Sequence, residues 1–345
     1  MAVKQRDIAA AAGVSVTTVS FVLAGRAEEM HLSRATVRRV EDAAARLGFT
    51  PNYHAQALST GRARTLGLIT GGERRVLLHR FWSPVAAGVG VHASERGHNV
   101  LIMADGVGST SDNAAEFLRQ KRIDGLIAFA YPSPPPLHVG PKAPVVIIGG
   151  RGWSHATVTL DDVAGIAAAM SHLVDLGHRD ILYVGDTGCE ANVSQRRARA
   201  FRAAGRRTGV RTRQLDLDRT HPADLSDDAF IQLYRDQLAA TLKLPASTSA
   251  AICYNDNVAV AFCAVLGERG LRVPADISVI GFDDLHAASA IPPLTTVSHM
   301  LEEMGAAAVD LLLDMIERTK RPRDLVVTPR LVIRASTASA RRSAG

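Results

Sequence analysis

Residues 13–25 read GVSVTTVSFVLAG. Gly13 supplies the left-handed backbone of a tight turn, which only glycine adopts without steric cost. Ser15 stands where an N-cap belongs, and Val19, Val22 and Leu23 recur at helical spacing. The pattern predicts a short helix that Gly25 closes. Its other face carries Val16, Thr17, Ser20 and Phe21. A face that meets only water is expected to be polar; this one has no charge and ends in an aromatic ring. The flanks complete a unit. RDIAAAAG (6–13) predicts an alanine-rich helix before the turn. LSRATVRRVEDAAARLG (32–48) predicts a third, with Ser33 as N-cap, an apolar stripe at Val37, Val40, Ala44 and Leu47, and Gly48 as stop. Three short helices with a glycine in the first turn make a helix-turn-helix head.

The chain has 345 residues, more than one ordinary core accommodates, so two or three domains are expected. It is 47% hydrophobic and 21% charged, the balance of a globular protein. No apolar run reaches the ~18 residues of a membrane span. The N-terminus, MAVKQRDIAAAAGVS, carries Asp7 and has no apolar stretch of signal-peptide type, so a cytoplasmic location is expected. Three cysteines, Cys189, Cys253 and Cys263, suit buried thiols in a reducing compartment better than a disulfide frame or a metal site. Charge is unevenly spread: residues 1–64 hold nine basic against five acidic side chains, +4 of the chain's net +6. A basic head on a near-neutral body points to a polyanion partner, although a solvated basic surface has the same composition.

After Pro51, NYHAQALSTGRART (52–65) predicts a short helix over 52–59 without a proper apolar face, a linker that folds on docking. From Leu66 the rhythm changes. TLGLIT (65–70), NVLIMA (99–104), DGLIAFA (124–130), PVVIIGG (144–150), DILYVGD (180–186), AAICYND (250–256) and DISVIGF (276–282) read as strands. Helical stretches at 84–97, 112–121, 161–177, 194–209, 227–243 and 256–270 lie between them. This alternation predicts parallel sheets covered on both faces, in two doubly wound lobes. No tandem repeat of 20–50 residues is evident.

Motifs of enzymatic chemistry are missing. There is no GxxxxGK[ST], strand-linked GxGxxG, HExxH, CxxC or GxSxG, and the twelve histidines lack metal-ligand spacing. No cofactor, metal or catalytic set is therefore expected. Two strand ends are polar: Asn255 and Asp256 after one, Asp283 and Asp284 after another. Open α/β sheets bind ligands at such ends, but the same residues serve equally as helix caps. Asn255 and Asp283 are assigned to a pocket, Asp256 and Asp284 to caps. Phe81 and Trp82, just after the first strand, either line a pocket or pack in the core.

Several long stretches, in order, resemble the lactose-repressor (LacI/GalR) family of bacterial transcription regulators. They are DIAAAAGVSVTTVSFVLAG (7–25), LGFTPNYHAQALSTGRARTLGLI (47–69), LRVPADISVIGFDD (271–284), IPPLTTV (291–297) and RLVIRAST (330–337). The resemblance implies an N-terminal all-α helix-turn-helix head (1–48) and a hinge helix with linker (49–64). It implies an α/β core (65–345) of two doubly wound lobes, similar to periplasmic sugar-binding proteins and crossed three times by the chain. Lobe one is expected at about 65–161 plus 291–322, lobe two at about 162–290 plus 323–340. The implied function is a cytoplasmic homodimeric regulator, a repressor, that grips a near-palindromic operator under control of a sugar-like effector between the lobes. A soluble sugar-binding module without DNA function, and an enzyme, are the alternatives. The tail ASARRSAG (338–345) has no apolar heptads, so a dimer is expected rather than a tetramer.

The resemblance also assigns residues. Ser15, Val16, Thr17, Thr18, Ser20 and Phe21 would face the major groove. Apolar atoms there read the thymine methyl, and Thr17 reads a base edge. Asn52 and Arg62 would join them on DNA, Arg62 at phosphate, and Leu58 would wedge into the minor groove or pack on its twin. Phe81, Trp82, Asn255 and Asp283 would line the effector cleft. Relatives carry an arginine early in the helix near Ser194; counting back from Phe201 gives Gln195, and a slip of one gives Arg196. There are departures: Phe21 and Gln56 stand where relatives often have arginine, Gly149 where they have aspartate, and Lys4 where they have a Ser or Thr cap. With Gly149 and Gln195 in place of charged groups, a neutral polyol or glycoside is expected over a sugar phosphate.

Overall fold

The computed structural model describes residues 3–50, 57, 60–69, 80–103, 110–130, 137–140, 142–150, 154–186, 193–218, 226–285, 287–319 and 323–341. Asn52, Gln56, Leu58 and Cys189 lie outside these. The chain forms two compact units, Met1–Thr65 with Phe117–Asp124, and Leu66–Glu116 with Gly125–Gly345.

The first unit holds α1 (Gln5–Ala12), α2 (Val16–Leu23), a 3-10 turn (Ala27–Met30) and α3 (Arg34–Arg46). The axes of α1 and α2 differ by 106°, within the range of a helix-turn-helix. Gly13 makes the bend at φ 63°. The Ser15 hydroxyl accepts from the Thr18 N–H at 3.0 Å, and Ser33 accepts from Thr36 at 3.2 Å, each satisfying a donor that the helix start leaves open. Lys4 offers no side-chain acceptor to α1. The Asp7 carboxylate instead accepts the Lys4 N–H at 2.8 Å, so the reciprocal half of a capping box persists without the first half. Ile8, Ala9, Ala12, Val19, Val22, Val40, Ala43 and Ala44 form the buried cluster, with Val37 and Leu23 at its edge. Leu47, placed on the stripe by its spacing, is 39% exposed. At the end of this unit the Ala63 N–H donates to the Asp124 carboxylate at 2.8 Å.

The second unit is built on two six-stranded sheets. The first orders β11 (Leu325–Val327), β5 (Ala156–Leu160), β4 (Val145–Ile148), β3 (Gly125–Phe129), β1 (Thr65–Ile69) and β2 (Asn99–Met103). The second orders β12 (Arg330–Val332), β10 (Thr295–Ser298), β9 (Ser278–Asp283), β8 (Ala250–Cys253), β6 (Asp180–Asp186) and β7 (Arg211–Leu217). The neighbours with described registers run parallel, except β10 and β12. Helices α4 (Trp82–Glu95), α5 (Thr110–Arg119), α6 (Asp162–Asp175), α7 (Val193–Thr208), α8 (Asp227–Thr241), α9 (Asp256–Glu268) and α10 (Leu301–Glu317) connect them. Strands β3, β4, β5 and β8 are buried at every position, as parallel strands between helical layers must be. Helix α10 crosses α4 at Gly88 and Gly305, where an added Cβ would strike the facing backbone; only glycine permits that approach.

The lobe ranges expected from sequence need correction. Residues 295–298 pair with β9, Thr295 opposite Ile280, and belong to the second sheet. Residues 325–327 pair with β5, Leu325 opposite Val158, and belong to the first. The chain therefore changes sheets after β5, after β10 and between β11 and β12, and the last two changes fall later than the expected 291 and 323. The stretch IPPLTTV leads into a second-sheet strand, β10, rather than opening a first-sheet segment, and Thr328 and Pro329 separate two short strands of different sheets. Burial raises both described thiols, Cys263 up to about 12 and Cys253 well above the usual value, which suppresses the reactive thiolate.

Candidate functional site

The exposed face of α2 is the first site. Val16 is 47% exposed, Thr17 is exposed, and Ser20 and Phe21 are half-buried. The Thr18 hydroxyl lies 2.9 Å from that of Ser15, so these two are engaged in the cap. Val19 and Val22 point into the core. Arg62 is exposed, and its N–H donates to the Thr60 hydroxyl at 3.3 Å.

The second site lies where the carboxyl ends of β8 and β9 meet the starts of α6 and α7. Its centre is Arg197, 3% exposed. Nε donates to Asp162 at 2.9 Å, Nη1 to the Tyr254 carbonyl at 2.6 Å, and Nη2 lies 2.9 Å from His299 Nε2. The guanidinium stacks 3.7 Å from the Phe282 ring centre. Arg196 donates through Nε and Nη2 to the other Asp162 oxygen, at 3.1 and 2.7 Å. Asp283 lies 3.6 Å from Arg197 and 3.1 Å from His299. The Phe81 ring stands edge-on to His299, with centres 5.1 Å apart.

Arginine has only donors, so His299 Nε2 accepts from Arg197 and the imidazole proton sits on Nδ1. A charged Asp283 carboxylate facing that lone pair would be repelled; a protonated one would not. Burial pushes Asp283 well above the usual carboxylate range, against the pull of Arg197. Burial and the neighbouring Arg197 hold His299 well below its usual value. Burial also opposes the Asp162 charge, but Arg197 and Arg196 outweigh it and keep that carboxyl below its usual value.

Arg196, Asp283 and Phe81 are thus joined through Asp162, Arg197 and His299, three residues the sequence reading did not select. Gln195 stands apart: its carbonyl accepts from Arg199 at 3.3 Å. Arg197 was legible in principle. It lies four residues before the buried Phe201 and three after the buried Ser194, on the inward stripe of α7. His299 carried no local signal, because it reaches the site only through the path of β10. The division between caps and pocket is reversed in part. Asn255 is the N-cap of α9, accepting from the Val258 N–H at 2.9 Å. Asp256 is 1% exposed and ties the Thr296 hydroxyl at 2.7 Å to the Leu285 N–H at 2.8 Å. Among the described residues Asp284 caps no helix, and it pairs with Arg334 at 2.8 Å. Trp82 is 4% exposed and stacks on Phe129 at 4.5 Å, in the core. Gly149, at φ 86°, faces the Trp82 ring.

Among the described residues no cluster of His, Cys, Asp and Glu suits a metal ion, and no single helix is long and apolar enough to cross a membrane.

Residues 5–52 match the family model described as bacterial regulatory proteins, lacI family, and residues 170–337 match the periplasmic binding protein-like domain. The ribose operon repressor of Escherichia coli K12 is 30% identical over 96% of this chain and 98% of its own length. The transcriptional regulator CelR of Thermobifida fusca is 29% identical over 95% of this chain and 96% of its own. Among solved structures, a lac repressor dimer bound to operator and the anti-inducer ONPF superposes with a TM-score of 0.70 at 25% identity, covering 98% of this chain and 100% of the other. A CelR–cellobiose complex superposes with a TM-score of 0.61 at 26% identity, covering 97% and 99%.

Proposed function

This chain belongs to the lacI family of bacterial regulatory proteins, and from that premise we propose how its parts divide the work of a DNA-binding transcription regulator. The protein is a regulator rather than an enzyme. It acts in the cytoplasm as a homodimeric repressor, one head on each half of a near-palindromic operator, because a two-fold dimer reads two half-sites. A small molecule bound between the two sheets controls it. Residues 1–48 form the DNA head, 49–64 the hinge, and the rest the effector core.

The observation that carries this reading is the uncharged face of α2, with Val16 and Thr17 exposed, behind a 106° turn. Val16, Thr17, Ser20 and Phe21 read base edges and thymine methyls, while Ser15 and Thr18 hold the helix start. Arg62 contacts the backbone, Asn52 joins it on DNA, and Leu58 wedges into the minor groove. On the effector side, Phe81, Arg196, Asp283 and the network behind them support binding of a ligand rich in hydroxyl groups, a neutral polyol or glycoside. Arg197 takes the role assigned from sequence to Gln195 or Arg196. Asn255 and Trp82 act as supports, one through the α9 cap and one through the core.

Duplexes selected by the full-length protein from a random-sequence pool test the DNA role. Thr17→Ala should lower the ratio of selected to random binding by about 1–3 kcal/mol and relax choice at one base pair per half-site. An unchanged ratio rejects the recognition helix. Neutral glycosides and sugar phosphates, added to the DNA complex, test the effector class: release or tightening by the phosphates alone rejects it.

A further inference from the structure

The α2 face that meets the groove carries no cation of its own, yet the structure brings one to it. Helix α2 ends at Leu23, and Gly25 turns the chain at φ 70°. The Gly25 N–H donates to the Val22 carbonyl at 3.0 Å and the Arg26 N–H to the Phe21 carbonyl at 2.9 Å. This is the paired closure of a Schellman motif, which usually brings an apolar residue back over the last turn. Here it brings Arg26, whose guanidinium lies 5.1 Å from the centre of the Phe21 ring. Phe21 is four residues after Thr17, on the same stripe of the helix. The guanidinium is also clamped. Nε donates to Glu29 Oε1 at 2.8 Å and Nη2 to Oε2 at 2.6 Å, from the 3-10 turn that follows. The hydrogen bond from Arg26 holds the Glu29 carboxyl below its usual value.

The clamp uses one edge of the guanidinium. Of its five N–H donors, Nε–H and one on Nη2 are taken; two on Nη1 and one on Nη2 are left. The end-on pair, one hydrogen from each terminal nitrogen, has the spacing of guanine O6 and N7 in the major groove. The Phe21 ring supports the guanidinium by cation–π attraction, and the carboxylate sets its rotation. A mobile surface arginine would lose side-chain entropy on binding; this one has already lost much of it.

We propose that Arg26, carried on Phe21 and oriented by Glu29, reads a guanine in each operator half-site. The assignment rests on α2 being the recognition helix. Because Arg26 and Glu29 together are neutral, the pair contributes choice of base rather than general attraction for phosphate.

The test uses the full-length protein and the duplexes it selects from a random pool, with every half-site position replaced in turn. The doubly substituted protein Arg26→Ala with Glu29→Ala keeps the net charge, and exposed side chains leave the fold intact. It should bind the selected duplex roughly 10- to 100-fold more weakly, bind random duplex as before with the same salt slope, and accept any base at one former G·C position. Arg26→Lys, a point charge without the two-pronged edge, should behave like the double variant. If Arg26→Lys retains full operator affinity, or if the double variant weakens all duplexes alike with a shallower salt slope, Arg26 is a phosphate contact and the proposal fails. Unchanged operator binding in the double variant also overturns it. Thr17→Ala separates the two levels: if it relaxes base choice while the Arg26 variants do not, the recognition helix stands and only the guanine reading falls.

Discussion

Arg197 and Asp162 form an ion pair at 2.9 Å in which both side chains are 3% exposed. The pair joins the first turn of α6 to the second turn of α7. Through its other donors Arg197 reaches the end of β8 and His299 after β10. Such a pair is costly to bury and costlier to halve, because the remaining charge has neither water nor partner.

Replacing Asp162 by Asn should therefore destabilise the protein by about 3–5 kcal/mol. Arg196→Ala should cost about 1 kcal/mol or less, since Arg196 is 26% exposed and Asp162 keeps Arg197. Urea midpoints with unchanged slopes would measure both. Equal losses would mean that the two arginines share the buried charge.

Stability should depend on pH through Asp283. Its folded-state carboxyl is raised by burial, while in the unfolded chain it titrates near the ordinary ~3.9. Below about pH 4 both states hold the proton. Above that, the unfolded chain releases it and the folded protein keeps it, so this contribution to stability is lost as pH rises through the folded value. His299, held neutral, acts oppositely below about pH 6.5, where the unfolded chain binds a proton that the folded protein refuses. Asp283→Asn mimics the protonated acid and has no proton to lose. The stability of the variant relative to the natural protein should grow with pH from about 4 upward, by up to ~1.4 kcal/mol per pH unit. A difference independent of pH would show that Asp283 is charged in the folded state.

Trp82 should behave as core. Trp82→Ala should cost about 3–5 kcal/mol, with the loss seen equally with and without effector in thermal melts. Trp82→Phe, which keeps a ring against Phe129, should leave the response of the DNA complex to effector unaltered. A lost response in a Phe variant of normal stability would return Trp82 to the pocket.

Arg62→Ala should weaken binding to selected and random duplexes alike and reduce the salt slope by about one. Loss confined to the selected duplex would make Arg62 a reader of bases.

Much of the architecture was legible because its signals are local. Ser15, Gly13 and Ser33 act within three or four residues of their own positions, and they close the helices that the apolar spacing describes. The seven strands read from β-branched runs correspond to β1, β2, β3, β4, β6, β8 and β9. The β-branched runs passed over β5, ATVTL, although it is buried throughout, and four strands whose identity depends on a partner. The polar edge strand β7, RTRQLDL, is defined by lying beside β6, and the short β10, β11 and β12 by neighbours far away in the chain. At the candidate site, Asp283 stood out as a polar residue at a strand end. Asn255, expected in the pocket, is a cap, and Asp256, expected as a cap, is a brace, because the two differ only in where the next element runs.

The sequence by itself determined that a small basic helix-turn-helix head precedes two parallel α/β lobes. It also marked the α2 face that lacks a reason to meet only water. Helical and strand periodicities, caps and charge balance are properties of contiguous residues, and they need no knowledge of what packs on what. Tertiary structure alone decided which sheet receives residues 295–298 and 325–327, and that Arg197 rather than Gln195 or Arg196 lies at the centre of the buried network. It also decided that Trp82 belongs to the core and that His299 joins Asp283. Those outcomes rest on burial and on contacts across long stretches of chain. A charge at 3% exposure is tolerated only where residues distant in sequence converge to satisfy it.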